Sequence, residues 1–242
     1  SLPVKTYLEA FRYFFPPQRP TWHLLDSTNP AILDGLWRDL TGRADHTEAE
    51  RRQALETSTV VFVSKSGTTV ETNSHFDYLV AQYQALGLDP TKHIILLTDP
   101  GSGYERNPKY AAYPKVWIQV DGKTDIGGRS TPPGTRASLW PLGLLIGEEL
   151  RPALEAARQM HAYEDAADDP WLAAGVRLAE LAKDGRDVVT YLWPDTLHAM
   201  HTGTKQLFEE SLGKDNKGVT LFPDAPALSD LVPAKKSRRV FV

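Results

Sequence analysis

The sequence holds no cysteine, so no disulfide, thiolate nucleophile or cysteine-bound metal can enter its chemistry, and a reducing compartment fits. It also lacks any uninterrupted apolar run long enough to span a bilayer, and any basic-then-apolar leader at its amino end. A cytoplasmic protein without a membrane partner is expected. A large excess of either charge is missing too. A formal charge of -4 with an isoelectric point near 6.0 provides no concentrated basic face and so no general pull toward nucleic acid or anionic lipid. Any anionic ligand must be caught locally. What the chain does have is length and apolar content, 242 residues at 41% hydrophobic, enough for one large α/β domain or two smaller ones.

Apolar stretches of strand length alternate with longer segments of helical period. WHLLD (22–26), TVVFVS (59–64), HIILLTD (93–99) and KVWIQV (115–120) each read as a strand ending in a polar or turn residue. Between them lie PAILDGLWRDL and ETNSHFDYLVAQYQALG, in which Phe76, Leu79, Val80, Tyr83 and Leu86 recur at steps of three and four. The β-α-β-α alternation and near-continuous apolar strands predict an α/β fold, with a parallel sheet covered on both faces as a three-layer αβα sandwich. From about Gly147 two helical segments (149–163 and 170–184) lead to the strand DVVTYLW, the helix LHAMHTGTKQLFEESLG and the strand VTLFPD. FFPPQRP, STPPGT and PDAPALSDLVPAKK read as loops, and KKSRR (235–239) as a solvated one.

Three segments carry chemistry. SKSGTT follows a strand and precedes a helix, the place where parallel sheets collect ligands. Ser64, Ser66, Thr68 and Thr69 offer hydroxyls, Lys65 a charge, and Gly67 a close approach of backbone, so the loop suits an anion such as phosphate. The same hydroxyls can equally serve only to cap the following helix. In GGRSTPPGTR, Arg129 after paired glycines can stabilise an oxyanion, or it can be a solvated turn residue. In KQLFEESLGK, Gln206 and Glu210 share one helix face while Glu209 lies about 100° round the axis, so at most one of the two glutamates can join Gln206 at a site. Such a carboxylate can act as a general base or simply be a charged helix end. His198 and His201 stand one turn apart without a third ligand and read as packing or surface residues.

Taken in order, VSKSGTTVET, DIGGR and KQLFEESLGK resemble the sugar-binding and catalytic signatures of the phosphoglucose isomerase (glucose-6-phosphate isomerase) family, built from two sugar isomerase (SIS) domains. LLDSTNPA, LLTDPGS and AKDGRDVVTYL further resemble the isomerase half of bifunctional transaldolase/phosphoglucose isomerase proteins. The resemblance implies a flavodoxin-like SIS domain over 1–147, lacking its initial glycine-rich strand, and a partial second one over 148–242. It implies that Ser64, Lys65, Ser66 and Thr69 line the phosphate pocket of a hexose 6-phosphate, with Thr68 in the same loop and Glu71 supporting it. Arg129 would lie by the reacting oxygens, Gln206 would place the sugar, and Glu210 would move a proton between C1 and C2 through a cis-enediol. The implied reaction interconverts glucose 6-phosphate and fructose 6-phosphate, in glycolysis and gluconeogenesis, with no metal or organic cofactor. The implied assembly is a homodimer of the full-length protein.

The segment STPPGTRASLWPLGL is longer than the family pattern, so Arg136 competes with Arg129, whose two glycines favour it. The family's IGGS strand end, its ring-opening histidine and its carboxyl-terminal lysine find no counterpart, so the chain is expected to be a central piece of a longer polypeptide. The alternative reading is a SIS module that binds a sugar phosphate without turning it over.

Overall fold

The computed structural model describes residues 2–11, 20–124, 135–164, 169–190, 194, 197–212, 219–222 and 239–241. The chain divides into two compact units, one of residues 21–140 and one of residues 2–20 with 141–242. The boundary expected from the sequence is 147/148. Helix α1 (Leu2–Ala10) belongs to the second unit.

In the first unit, α2 (Pro30–Thr41) and α3 (Glu48–Glu56) precede strand β1 (Val60–Val63). Local chemistry defines both helices. The Asn29 side chain accepts from the Ala31 N–H, Pro30 opens α2, and Gly42 closes it in the left-handed region at φ 75°. α3 starts in a reciprocal capping box between Thr47 and Glu50. Helix α4 (Val70–Ala85) then leads to β2 (Ile94–Thr98), the short α5 (Gly103–Arg106) and β3 (Lys115–Trp117). The three strands form a parallel sheet in the order β1-β2-β3, with Val63 opposite Leu97 and Thr98 opposite Trp117. This is the α/β fold with a parallel sheet that the apolar runs predict.

β2 is the spine of this unit, with Ile94, Leu96 and Leu97 all buried. β1 instead alternates, burying Phe62 while Val61 and Val63 stand exposed. The stripe on α4 faces the core as its spacing requires: Phe76, Leu79 and Tyr83 are buried, with Leu86 just beyond the last turn. Phe76 is ringed edge-on by Phe62, Tyr110 and Tyr113 at centroid distances of 5.3, 5.0 and 5.0 Å, a geometry that adds aromatic attraction to area burial. Tyr83 donates to the Leu55 carbonyl at 3.3 Å, and burial pushes its phenol up to about 12.

One expected strand is absent. WHLLD runs without regular structure, and Leu25 packs against the core cluster from that segment. A five-residue apolar run satisfies a core by burial alone and needs no strand partner.

Helix α6 (Arg136–Ile146) contains Pro141 and spans the division between the units. The second unit continues with α7 (Leu150–Glu164), α8 (Pro170–Lys183), β4 (Val188–Thr190), α9 (Met200–Leu212), β5 (Thr220–Phe222) and β6 (Arg239–Phe241). β4 lies between β5 and β6, parallel to both. The basic cluster read as a solvated loop therefore ends in a strand, since Arg239 opens β6 opposite Val188. α1 packs on α9, and the Glu9 carboxylate accepts from the Ala199 N–H at 2.5 Å, just before α9 begins. FFPPQRP lies outside the described residues apart from its last proline, as do nearly all of STPPGT and the whole of PDAPALSDLVPAKK. Among the described residues no helix is long and apolar enough to cross a membrane.

Candidate functional site

The hydroxyl-rich loop after β1 is fixed from beneath by backbone and threonine contacts. Ser64 is buried; its N–H donates to the Leu97 carbonyl at 3.0 Å, and its Oγ accepts from the Gly67 N–H at 3.1 Å. Thr98 at the end of β2 donates its hydroxyl to the Ser64 carbonyl at 2.7 Å. The Asp99 N–H reaches the Lys65 carbonyl at 3.2 Å, and the Gly103 N–H reaches the Ser66 carbonyl at 2.7 Å. The loop after β1 is thereby stitched to the loop after β2, because parallel pairing of the two strands sets their carboxyl ends side by side.

Gly67 is required here in the strict sense. Its φ is +67°, and a Cβ would lie 2.4 Å from the Tyr104 backbone nitrogen. The tight approach lets the loop turn into α4, whose N-cap Thr69 makes no capping bond. Thr69 Oγ1 instead pairs with Ser64 Oγ at 2.8 Å, and Ser66 Oγ pairs with Thr68 Oγ1 at 2.7 Å. The first amides of α4 are thus left without a side-chain cap from Thr69, at the positive end of a 16-residue helix.

A cavity of about 480 Å³ opens beside the loop, lined by Lys65, Ser66, Thr69, Asp99, Pro100, Gly101, Ser102, Arg106 and Thr124. Of the residues expected to bind phosphate, it brings together Lys65, Ser66 and Thr69; Ser64 supports them from below. Thr68 is tied to Ser66, and Glu71 is exposed in the first turn of α4, away from the lining. Asp99, Ser102, Arg106 and Thr124 were not singled out from sequence. The signal for the first two was the position of TDPGS at the carboxyl end of the neighbouring strand.

Asp99 is buried at 5% exposure, and Lys65 Nζ stands 3.9 Å from its Oδ2. Burial pushes its carboxyl above the ordinary aspartate range, and the lysine pulls it partly back. The folded state therefore holds this proton more tightly than the unfolded chain does. The associated stability is fully present below the unfolded value of ~3.9 and is lost as pH rises through the folded value. Asp99→Asn, which cannot ionise, should melt at a higher temperature than the unmodified chain at neutral pH. That advantage should shrink as pH falls toward about 4. A melting difference independent of pH would contradict the assignment.

Arg129 lies outside the described residues. Its competitor Arg136 is committed to backbone: Nη1 donates to the carbonyls of Trp117 and Gln119, each at 3.0 Å, and Nη2 to that of Val120 at 3.3 Å. These bonds clamp the start of α6 to the end of β3. Gln206 and Glu210 occupy α9, and their side chains lie outside the described ones. Glu209 is described: Oε1 accepts from Lys205 Nζ at 2.5 Å and from the Leu221 N–H at 3.0 Å. The hydrogen bond from Lys205 holds this carboxyl below its ordinary range. His198 and His201 stack with parallel rings 5.7 Å apart.

Relatives by sequence point one way. A glucose-6-phosphate isomerase from Rippkaea orientalis is 29% identical over 212 residues, 86% of this chain and 36% of the relative. One from Thermosynechococcus vestitus is 29% identical over 202 residues, 80% of this chain and 34% of the relative. Over most of its length this chain is similar to glucose-6-phosphate isomerases. It spans about a third of the length of these curated glucose-6-phosphate isomerases. Among solved structures, a glucose-6-phosphate isomerase from Chlamydia trachomatis superposes with a TM-score of 0.68 at 22% identity, over 92% of this chain and 40% of that one. At that identity the likeness speaks for the fold. A hypothetical protein from Thermus thermophilus gives a TM-score of 0.68 at 25% identity, over 91% of this chain and 50% of that one. No family model matches the chain.

Proposed function

We propose that the chain is part of an aldose-ketose isomerase that interconverts glucose 6-phosphate and fructose 6-phosphate. The observation that carries this reading is the cavity lined by Lys65, Ser66 and Thr69 at the uncapped start of α4, in a chain similar to glucose-6-phosphate isomerases. The ammonium, the hydroxyls and the helix amides together suit a phosphate dianion. With the phosphate held there, Glu210 takes the C2 proton of the open-chain aldose and returns it to C1, while a proton passes from O2 to O1. Arg129 stabilises the negative charge of the enediolate, and Gln206 places the sugar. Ser64 and Thr68 hold the loop in shape, and Glu71 supports it. The chemistry asks for no metal or cofactor.

The same reading makes 1–147 and 148–242 two SIS domains, the second partial, as in the isomerase half of a bifunctional transaldolase/phosphoglucose isomerase. It makes the full-length protein a cytoplasmic homodimer. The test is solvent exchange. Fructose 6-phosphate incubated with the chain in deuterated water should acquire deuterium at C1, and the glucose 6-phosphate formed from it should carry deuterium at C2, both read by proton NMR. Binding of the sugar phosphate without any deuterium uptake would replace the enzyme with a non-catalytic binding module.

A further inference from the structure

The cavity holds two polar groups that the proposed chemistry leaves unused. Asp99 and Ser102 are each 5% exposed, and both line the cavity. Among the described residues, neither carboxylate oxygen of Asp99 has a hydrogen-bond partner, and neither has Ser102 Oγ. Ser102 sits at the N-cap of α5 without making a capping bond. The charged groups around Asp99 come from three sides. Lys65, from the loop after β1, stands at ion-pair distance, beyond hydrogen-bond range; Arg106 of α5 lines the same cavity; and the Glu105 carboxylate is engaged by the Gly101 N–H.

A buried carboxylate without a donor is costly, since its lost hydration is not replaced. It is also a poor neighbour for a bare anion, because Coulomb repulsion acts across a partly dehydrated cavity. Both difficulties disappear with one kind of ligand. A molecule that is anionic at one end and carries hydroxyl donors on the adjoining carbons sets its charge against Lys65 and the start of α4. Its hydroxyls then satisfy the two oxygens of Asp99, and Ser102 can donate to or accept from them.

We propose that Asp99 and Ser102 form a hydroxyl-binding subsite beside the anion loop, which selects phosphomonoesters of a polyhydroxylated carbon chain over anions without hydroxyl donors. This inference rests on the reading of the loop as the anion site. Discrimination of this kind is strong because a ligand lacking the hydroxyls leaves the buried acceptors unpaired.

The test compares two probes, inorganic phosphate and sorbitol 6-phosphate, the second an open-chain polyol that cannot isomerise. Each is titrated by calorimetry at mildly alkaline pH into the unmodified chain, Asp99→Asn and Ser102→Ala, with melting curves recorded to establish folding. The unmodified chain should prefer sorbitol 6-phosphate. Asp99→Asn should weaken it by about tenfold or more, while binding of inorganic phosphate holds steady or tightens as a repelling charge is removed. Ser102→Ala should shift the same ratio in the same direction by less. Equal weakening of both probes in Asp99→Asn would make Asp99 only a support for Lys65, and an unchanged ratio would leave it without a role in recognition. Either result overturns the subsite and leaves the anion loop standing. Failure of the unmodified chain to bind either probe overturns both readings.

Discussion

Gly67→Ala should cost the first unit about 3 kcal/mol or more of stability and abolish its binding of phosphate. Two penalties combine. The left-handed φ of +67° is unfavourable for any residue with a Cβ, by roughly 1–2 kcal/mol. The added carbon would also meet the Tyr104 nitrogen at 2.4 Å and the Gly103 nitrogen at 3.0 Å, which are backbone atoms with no rotamer to yield. Relief requires the loop after β1 to part from the loop after β2. That breaks the Gly103–Ser66 and Asp99–Lys65 backbone bonds that bring the two sides of the cavity together. Gly42→Ala, at the end of α2 and away from the cavity, is the control: its φ is +75°, yet a Cβ there has nothing within 4 Å. It should lose only the conformational penalty, about 1 kcal/mol, and keep its phosphate affinity. Urea unfolding with phosphate titration measures both variants, and a Gly67→Ala chain as stable as Gly42→Ala would refute the close-approach argument.

What could be read from the sequence follows from how local each signal is. β2 was plain because burial on both faces leaves an unbroken apolar run, and α4 was plain because its buried stripe repeats every three or four residues. WHLLD carried the same apolar signal as a strand, and only the tertiary structure reveals that Leu25 packs on the core from an irregular segment. α3 has few apolar residues to mark it, and its sign in the sequence is the capping box of Thr47 and Glu50 that starts it. β6 pairs Val240 with Val189, far away along the chain, and nothing near Arg239 announces that partner. The candidate site divides in the same way. The donors of SKSGTT were visible as a cluster in one loop. Asp99 and Ser102 became part of that site only once parallel pairing of β1 with β2 set TDPGS beside it. Composition could not reveal that pairing, and no single residue implied it.

The two neighbouring glutamates of α9 should respond to substitution in opposite ways. Glu209→Gln should lower stability by about 1 kcal/mol and leave deuterium exchange into fructose 6-phosphate intact. Glu210→Gln should reduce that exchange by roughly 10²–10⁴-fold, the usual worth of a positioned general base, and leave stability nearly unchanged. The asymmetry begins with Glu209. It already serves the fold, bridging Lys205 one turn back and the Leu221 amide of β5, while Lys205 also donates to the Leu221 carbonyl at 3.0 Å. A carboxylate held in two hydrogen bonds, with its proton affinity lowered by one of them, is a poor proton acceptor for carbon. Glu210 occupies the next helical position, about 100° round the axis from Glu209 and four residues after Gln206. Glutamine keeps the shape of the side chain and removes only its capacity to take a proton, so a loss of exchange with binding preserved would isolate that one function. If instead Glu209→Gln abolishes exchange while Glu210→Gln retains it, the base has been assigned to the wrong residue, and the contacts of Glu209 with β5 must open during turnover.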